Sequence, residues 1–236
     1  MSDTYLISDL HLSAETPALE RGLYAFLERI AGAQALYILG DFFEAWIGDD
    51  DDAPLVARVR EKVRRLSDQG CAVFIMRGNR DFLLGEQFAQ SCGARLLPDT
   101  QVLDLAGTST LLLHGDTLCT DDTDYLEFRA MVHDPSWQQF ALQKPLEERR
   151  ELAVELRAMS RDAASNKAED IMDVNDQSVA ETAAAWGVTR IIHGHTHRPY
   201  QHRCAWGERW VLGDWSTTGW CIHASDSEIS LQEFPI

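Results

Sequence analysis

The chain has 236 residues, of which 45% are hydrophobic and 25% are charged, so it can bury one large core and is neither a disordered nor a collagen-like sequence. Its formal net charge of −17 disfavours unassisted binding to nucleic acids, and its five scattered cysteines predict reduced thiols rather than a disulfide framework. No apolar run approaches the roughly 18 residues of a membrane span, and the first residues do not resemble a signal peptide, so we expect a cytoplasmic protein.

Short apolar runs that end in polar clusters predict buried strands, and helical patterns lie between them. The strands are expected at residues 5–7, 35–39, 72–76, 110–113 and 190–192. The clearest helices are expected from Pro17 to a stop at Gly32 and from Pro54 to Gln69, because proline in the first turn and glycine after the last are typical helix boundaries. Strands that alternate with helices predict an α/β fold.

One segment is too long for this alternating pattern. The first four polar clusters lie 32 to 38 residues apart, which fits one strand and one helix each, whereas the step from His114 to His195 is 81 residues. The extra segment has a helical pattern and contains two prolines, which should break it into several short helices. We therefore expect a helical cap at residues 121–170, inserted into a core formed by residues 1–120 and 171–236.

Each predicted strand is followed by side chains that can bind a metal ion. The ends of parallel strands meet at one edge of a sheet, so these side chains are expected to converge. A single histidine or D-x-H pair would more often be structural, but five such clusters at strand ends favour a functional site. The candidate ligands are Asp9, His11, Asp41, Asn79, His114, His195 and His197.

The types of donor atom predict the kind of metal centre. Nitrogen and oxygen donors without a thiolate favour Mn, Fe or Zn over a structural zinc site or a calcium cage. The donors are too many for one ion, whereas two ions that share the Asp41 carboxylate would use them all and would suit hydrolysis of a phosphate ester or anhydride. His193 and Asp116 lie beside the clusters, either as groups that orient the ligands or as local structure.

The clusters resemble, in order and spacing, the signature of the calcineurin-like metallophosphoesterases. The motifs that carry the resemblance are Asp9-x-His11, Gly40-Asp41, Gly78-Asn79, His114 and Gly194-His195-x-His197. The resemblance implies an α/β core of two packed β-sheets flanked by helices, with the helical insertion added as a cap. The family usually places histidine after the Gly-Asn pair, whereas this chain has Arg80.

With arginine at position 80, the sequence resembles one branch of the family. Arg80, the strings at residues 40–44 and 171–175, and the helical insertion resemble the members that hydrolyse the diphosphate of UDP-2,3-diacylglucosamine to UMP and 2,3-diacylglucosamine 1-phosphate in lipid A biosynthesis. The resemblance implies a metal-dependent hydrolase with two Mn²⁺ per chain. The implied partners are the lipid substrate and the cytoplasmic face of the inner membrane, bound peripherally, with no nucleic acid and no obligate protein partner.

The resemblance also implies roles for single residues. One ion would be held by Asp9, His11, Asp41 and His197, and the other by Asp41, Asn79, His114 and His195. Asn79 and Arg80 would act in catalysis, and the planar guanidinium of Arg80 would bind phosphate oxygens rather than donate a proton. The substrate contacts would be Asn79, Arg80, Asp122, Ser160, Lys167 and His195.

Two faces of the predicted cap allow two interpretations each. One helical face, which either packs the cap on the core or binds acyl chains, consists of Leu152, Leu156, Met159 and Ala163. The other face, which is either solvated or contacts anionic head groups or the diphosphate, carries Arg150, Arg157 and Arg161.

Two other functions are compatible with the same motifs. A phosphoesterase of this architecture could act on soluble nucleotides, dinucleoside polyphosphates or DNA ends, although the scarcity of lysine and arginine disfavours DNA. A non-catalytic scaffold could keep the fold to bind other proteins, although all four histidines expected at the metal site are present.

Overall fold

The computed structural model describes residues 3–165, 171 and 173–236. The strands, in chain order, are β1 Thr4–Ile7, β2 Ala35–Leu39, β3 Ala72–Met76, β4 Ala94–Leu96, β5 Thr100–Leu105, β6 Thr108–Leu113, β7 Arg190–His193, β8 Tyr200–Cys204, β9 Gly207–Val211, β10 Thr218–Ala224 and β11 Ile229–Pro235. The helices are α1 Pro17–Arg29, α2 Pro54–Asp68, α3 Glu86–Ser91, α4 Thr123–His133, α5 Pro135–Leu142, α6 Leu146–Ser165 and α7 Asp176–Trp186.

The described strands form two mixed sheets. The first has the order β11-β10-β1-β2-β3-β4, in which β1 to β4 are parallel and β10 and β11 are antiparallel to their neighbours. The second has the order β5-β6-β7-β9-β8, with β6, β7 and β9 parallel and the two edge strands antiparallel. The predicted α/β core of two packed sheets is confirmed.

The hydrophobic core consists of three layers. Successive side chains on a strand point to opposite faces of the sheet, so each strand contributes to two of these layers. Ile7 packs with the helices α1 to α3 on one face of the first sheet, whereas Leu6 joins the cluster between the two sheets. In β6, Leu112 faces that same central cluster, and its neighbour Leu111 packs with α7 on the far side. The two sheets are therefore stacked between helical layers, and their strand ends can meet at a shared edge.

The insertion between β6 and α7 is helical, and prolines divide it as expected. Pro135 begins α5, and Pro145 lies directly before α6. The prediction that all of its helices are short is wrong, because α6 has 20 residues. This helix contains no proline or glycine between Leu146 and Ser165 and is rich in leucine, alanine, glutamate and arginine, which favour long helices.

Arginines on α6 join the insertion to the loop that follows β2. Arg149 is buried and donates to the carbonyl of Ile47 and to the carboxylate of Asp50. Arg150 pairs with Asp52, and its exposed fraction is 36%. Arg150 therefore does not lie on a free solvated face, whereas the side chain of Arg161 is outside the described part of the chain.

Within the described residues, none of the helices is both long enough and apolar enough to cross a lipid bilayer.

Candidate functional site

The loops that follow β1 and β2 run side by side at one edge of the stacked sheets. The backbone N–H of Asp9 donates to Gly40 O at 3.1 Å, and that of His11 donates to Asp41 O at 3.0 Å. These bonds extend the pairing of two parallel strands beyond their ends. They bring the D-x-H motif and the Gly-Asp motif together, as the sequence predicted.

One group of donor atoms comes from the first and the last motifs. His11 Nε2 lies 3.3 Å from His197 Nε2 and 3.9 Å from Asp41 Oδ2. His197 Nε2 lies 3.3 Å from Asp9 Oδ1. The donor atoms of Asp9, His11 and His197 lie close enough to one another to bind a single cation between them.

A second group of donor atoms lies on the other side of Asp41. His114 Nε2 and His195 Nδ1 both lie 2.9 Å from Asn79 Oδ1, and His114 Nε2 is 3.7 Å from Asp41 Oδ1. The two oxygens of Asp41 thus face different histidine groups. The structure brings together all seven candidate ligands, and Asp41 occupies the position between the two groups.

The electrostatics of the cluster fit a divalent cation. Burial alone lowers the pKa of His114, but the carboxylates of Asp41 and Asp9 raise it to about 9, because these charges favour a positive charge at this position, whether a proton or a metal ion. Burial and the nearby charge of His114 lower the pKa of His195 to about 4, so this imidazole is neutral, as a metal ligand must be. Asp9 and Asp41 are both buried and therefore need compensating positive charge beside them.

The backbone at the candidate ligands is strained. Six described residues other than glycine have a positive φ, and five of them are candidate ligands. These five are Asp9, His11, Asp41, His195 and His197, with φ between 49° and 68°. A left-handed backbone costs about 1–2 kcal/mol for a residue with a side chain, and such strain concentrates at functional sites.

Glycine is required where two of the loops touch the candidate ligands. A Cβ atom at Gly78 would overlap the side chain and the backbone nitrogen of Asp41, and one at Gly194 would overlap the carboxylate of Asp9. These close approaches explain why both motifs combine a glycine with a ligand.

The guanidinium of Arg80 lies in the site with two nitrogen atoms that make no hydrogen bond with the described residues. The backbone N–H of Arg80 donates to Asp41 Oδ1 at 2.8 Å. Its Nε and Nη1 atoms are buried and make no hydrogen bond with the described residues. The nearest carboxylate oxygens, Asp41 Oδ2 and Glu44 Oε1, are 3.7 and 3.9 Å away. This guanidinium can therefore bind the oxygens of an anionic ligand without breaking a hydrogen bond.

A cavity of about 420 Å³ lies between the insertion and the core and reaches the candidate metal cluster. The polar residues that line it include Asn79, Arg80, Asp122, Ser160 and His195. Its apolar walls include Trp46, Phe82, Phe128, Leu152 and Leu156. One cavity thus combines polar residues of the candidate site with an apolar chamber formed by these hydrophobic side chains.

The structure places two of the three predicted substrate residues of the insertion in the cavity lining. Asp122 lines the cavity, and its carboxylate also accepts from the backbone N–H of Tyr125, which makes it the N-cap of α4. Ser160 lines the cavity from α6. Lys167 lies outside the described residues. Substrate contact by these three side chains stays a prediction.

Asp81 is a structural part of the site that the predicted site residues do not include, although it lies in the same strand-end cluster as Asn79 and Arg80. Its buried carboxylate accepts hydrogen bonds from Gly78 N at 2.6 Å and from Phe42 N at 2.8 Å, so it ties the loops after β2 and β3 together. Burial and the charge of Asp41 raise the pKa of Asp81 to about 6. The sequence offered only its proximity to Asn79 as a signal.

The structure also gives partners to the two residues that the sequence left open. Asp116 accepts hydrogen bonds from Tyr125 Oη at 2.6 Å and Arg129 Nε at 2.7 Å, both on α4, and so joins the insertion to the core. His193 is buried, with Nδ1 2.8 Å from Gly194 O and Nε2 3.2 Å from Arg209 Nη1.

Comparison with known proteins places this site in a family. The sequence profile described as calcineurin-like phosphoesterase matches residues 3–199. The chain belongs to the calcineurin-like phosphoesterase family. The predicted family is confirmed, and a divalent metal site at the described cluster is consistent with it.

Curated relatives of this phosphoesterase are similar over almost the whole chain. A protein named UDP-2,3-diacylglucosamine hydrolase from Cellvibrio japonicus (strain Ueda107) is 49% identical, with 99% of this chain and 100% of the relative aligned. A protein of the same name from Edwardsiella ictaluri (strain 93-146) is also 49% identical, with 98% of this chain and 92% of the relative aligned. The similarity therefore includes the helical insertion.

Solved structures show that the fold occurs in proteins of different kinds. An archaeal phosphodiesterase has a TM-score of 0.51 at 12% identity, with 99% of both chains covered. Vacuolar protein sorting 29 from Cryptosporidium parvum has a TM-score of 0.50 at 13% identity, covering 100% of this chain and 98% of its own. Similarity at this level shows the fold alone, so the function has to be argued from the site.

Proposed function

We propose that this phosphoesterase hydrolyses the diphosphate bond of UDP-2,3-diacylglucosamine to UMP and 2,3-diacylglucosamine 1-phosphate, a step of lipid A biosynthesis. The observation that carries the proposal is the single cavity that joins the candidate metal cluster to an apolar chamber. A diphosphate and two acyl chains need these two environments side by side. The names of the relatives, at 49% identity, support the same substrate.

The proposed metal content is two Mn²⁺ ions per chain. One would be held by Asp9, His11, Asp41 and His197, and the other by Asp41, Asn79, His114 and His195. The two groups of donor atoms on either side of Asp41 support this division. Bound divalent ions supply Lewis acidity and make water a better nucleophile near neutral pH.

Arg80 and Asn79 are the proposed catalytic residues of the chain. The Nε and Nη1 atoms of Arg80, which make no hydrogen bond with the described residues, would bind phosphate oxygens and stabilise the negative charge that grows in the transition state. Arginine does not lose its proton near neutral pH, so Arg80 would not protonate the leaving group. A departing sugar phosphate is stable as an anion and does not require that proton.

The proposed cap comprises residues 121–170, and it would cover the lipid part of the substrate. Leu152 and Leu156 line the apolar chamber from α6, which supports acyl-chain binding by one of the two ambiguous faces. Asp122, Ser160 and His195 line the same cavity, and we propose that they contact the substrate together with Lys167. Slower amide exchange of α4 to α6 upon substrate binding would test the cap assignment.

UDP-2,3-diacylglucosamine is expected to have a kcat/KM at least ~100-fold higher than UDP-N-acetylglucosamine. Burial of an acyl chain contributes about 0.8 kcal/mol per methylene, so four buried methylenes already account for this factor. Leu152→Glu should reduce the turnover of UDP-2,3-diacylglucosamine and have little effect on the turnover of UDP-N-acetylglucosamine. Equal kcat/KM values for both substrates, or faster turnover of a dinucleoside polyphosphate, would remove the lipid from the proposal.

Peripheral binding to the cytoplasmic face of the inner membrane is part of the same proposal. Large apolar side chains are exposed on the helices of the insertion, namely Met131, Phe140, Leu142, Val154 and Met159. Met159 also lines the cavity, so at least this exposed side chain lies beside the expected entry route of a lipid.

Flotation with vesicles of phosphatidylethanolamine and phosphatidylglycerol tests this membrane contact. The double substitution Phe140→Glu and Val154→Glu is expected to reduce the vesicle-bound fraction severalfold, because it places charges in the apolar surface. Trp186→Glu is the matched control, because Trp186 is exposed to 49% but lies on α7. A wild-type protein that stays entirely with the unbound fraction would contradict the proposal.

A further inference from the structure

Glu44 lies between the insertion and the candidate metal cluster. Its Oε1 atom accepts hydrogen bonds from Arg157 Nε at 3.0 Å and from Arg157 Nη2 at 2.7 Å. Its Oε2 atom lies 3.1 Å from Nδ1 of His11. The two oxygens of one carboxylate thus contact the insertion on one side and a candidate metal ligand on the other.

The contact with His11 bears on how this ring can bind a metal ion. Nε2 of His11 faces His197 and Asp41, so Nε2 is the atom available to a cation. A proton on Nδ1, held by a carboxylate, leaves the electron pair of Nε2 free and fixes the orientation of the ring. Nδ1 is buried and makes no well-aligned hydrogen bond with the described residues, and the carboxylate of Glu44 lies 3.1 Å from it, close enough to hold its proton.

The contact with Arg157 bears on the position of the insertion. Arg157 lies on α6, lines the cavity and has an exposed fraction of 15%. A guanidinium that donates two hydrogen bonds to one oxygen is held more firmly than an exposed ion pair. Glu44 therefore fixes part of the cavity wall as well as the ring of His11.

We propose that Glu44 is a positioning residue that serves two groups at once. It orients His11 for metal binding and holds α6 over the cavity through Arg157. The inference rests on the metal site of the proposed function. Metal affinity and the position of the cap then depend on the same side chain.

Measurement of Mn²⁺ affinity by titration calorimetry tests the first half of this inference. Glu44→Gln is expected to weaken Mn²⁺ binding about 10- to 100-fold, the usual effect of losing the partner of a metal-bound histidine. Glu44→Asp keeps the charge but is one methylene shorter, so it should restore the affinity only in part. Thermal unfolding of the metal-free variants shows whether each one is folded.

Amide hydrogen exchange tests the second half of the inference without using activity. Exchange in α6 is expected to become severalfold faster in Glu44→Gln, and also in Arg157→Ala, which leaves Glu44 in place. Asp52→Asn is the matched control, because Asp52 pairs with Arg150 of the same helix without contacting a candidate ligand. It should speed exchange in α6 and leave the Mn²⁺ affinity within about twofold of wild type.

The possible failures are distinguishable. A wild-type protein that binds no divalent cation would overturn the proposed function and this inference together. Wild-type Mn²⁺ binding that is equally tight in Glu44→Gln, or weakened as much by Asp52→Asn, would overturn the inference alone. Unchanged exchange in α6 of Arg157→Ala would overturn the role of Glu44 in holding the cap.

Discussion

Asp41→Ala is expected to lower kcat at least ~1,000-fold and to release bound metal. Asp41 faces His11 through one oxygen and His114 through the other, so its loss removes a ligand from both proposed metal sites. A metal ion contributes several kcal/mol to stabilisation of phosphoryl-transfer charge, and 4 kcal/mol corresponds to about three powers of ten in rate. Turnover of the acylated substrate and metal content per chain are the measurements, with two Mn²⁺ expected for wild type.

The control for Asp41→Ala separates loss of the site from loss of the fold. Asp68→Ala removes an exposed carboxylate that pairs with Arg64 on the same helix, so it should change neither the metal content nor kcat. Removing Asp41 also relieves the repulsion that raises the pKa of Asp81, so the metal-free variant should remain folded. Wild-type rates in both Asp41→Ala and His114→Ala would show that the reaction occurs elsewhere.

Arg80→Ala is expected to lower kcat/KM about 100- to 1,000-fold while the metal content stays unchanged. Loss of one oriented donor to a developing anion usually costs this much. Arg80→Lys should recover only part of the rate, because an ammonium group does not present two parallel N–H donors to a phosphate. The comparison of the three kcat/KM values, with metal analysis of each protein, tests the role of the guanidinium.

The matched control is Arg95→Ala, which removes a guanidinium that lies over the ring of Phe74 on β3. Its kcat/KM should equal that of wild type. Two results would contradict the proposed role of Arg80: wild-type activity in Arg80→Ala, or a loss of metal as large as that of Asp41→Ala. The second result would mean that Arg80 supports the metal site rather than the phosphate.

The sequence predicts the central strands well because their apolar pattern is strong. The expected ranges 35–39 and 72–76 coincide with β2 and β3, and their buried side chains explain why. The strand β4 has only three residues, of which Arg95 is exposed, so it contains no apolar run from which a strand could be predicted. Its place depends on pairing with β3, which is a tertiary contact.

The sequence also identifies the residues that converge at the site but not how they are held. The motifs name Asp41 and His11, whereas the link from Glu44 to Arg157 joins positions 113 residues apart. No local periodicity reports such a contact. The same is true of Asp81, which accepts a hydrogen bond from Phe42 N across 39 residues of sequence.

Five candidate ligands have positive φ angles, so substitutions that relieve this backbone strain would stabilise the fold but remove side chains needed for activity. Glycine would adopt that backbone without steric conflict, so Asp41→Gly could relax the metal-free protein while it removes the shared carboxylate. Substitutions selected for stability alone, without an activity assay, would therefore tend to remove the ligands of the candidate metal site. A search for a more robust enzyme should leave these five positions untouched and work on the outer helices instead.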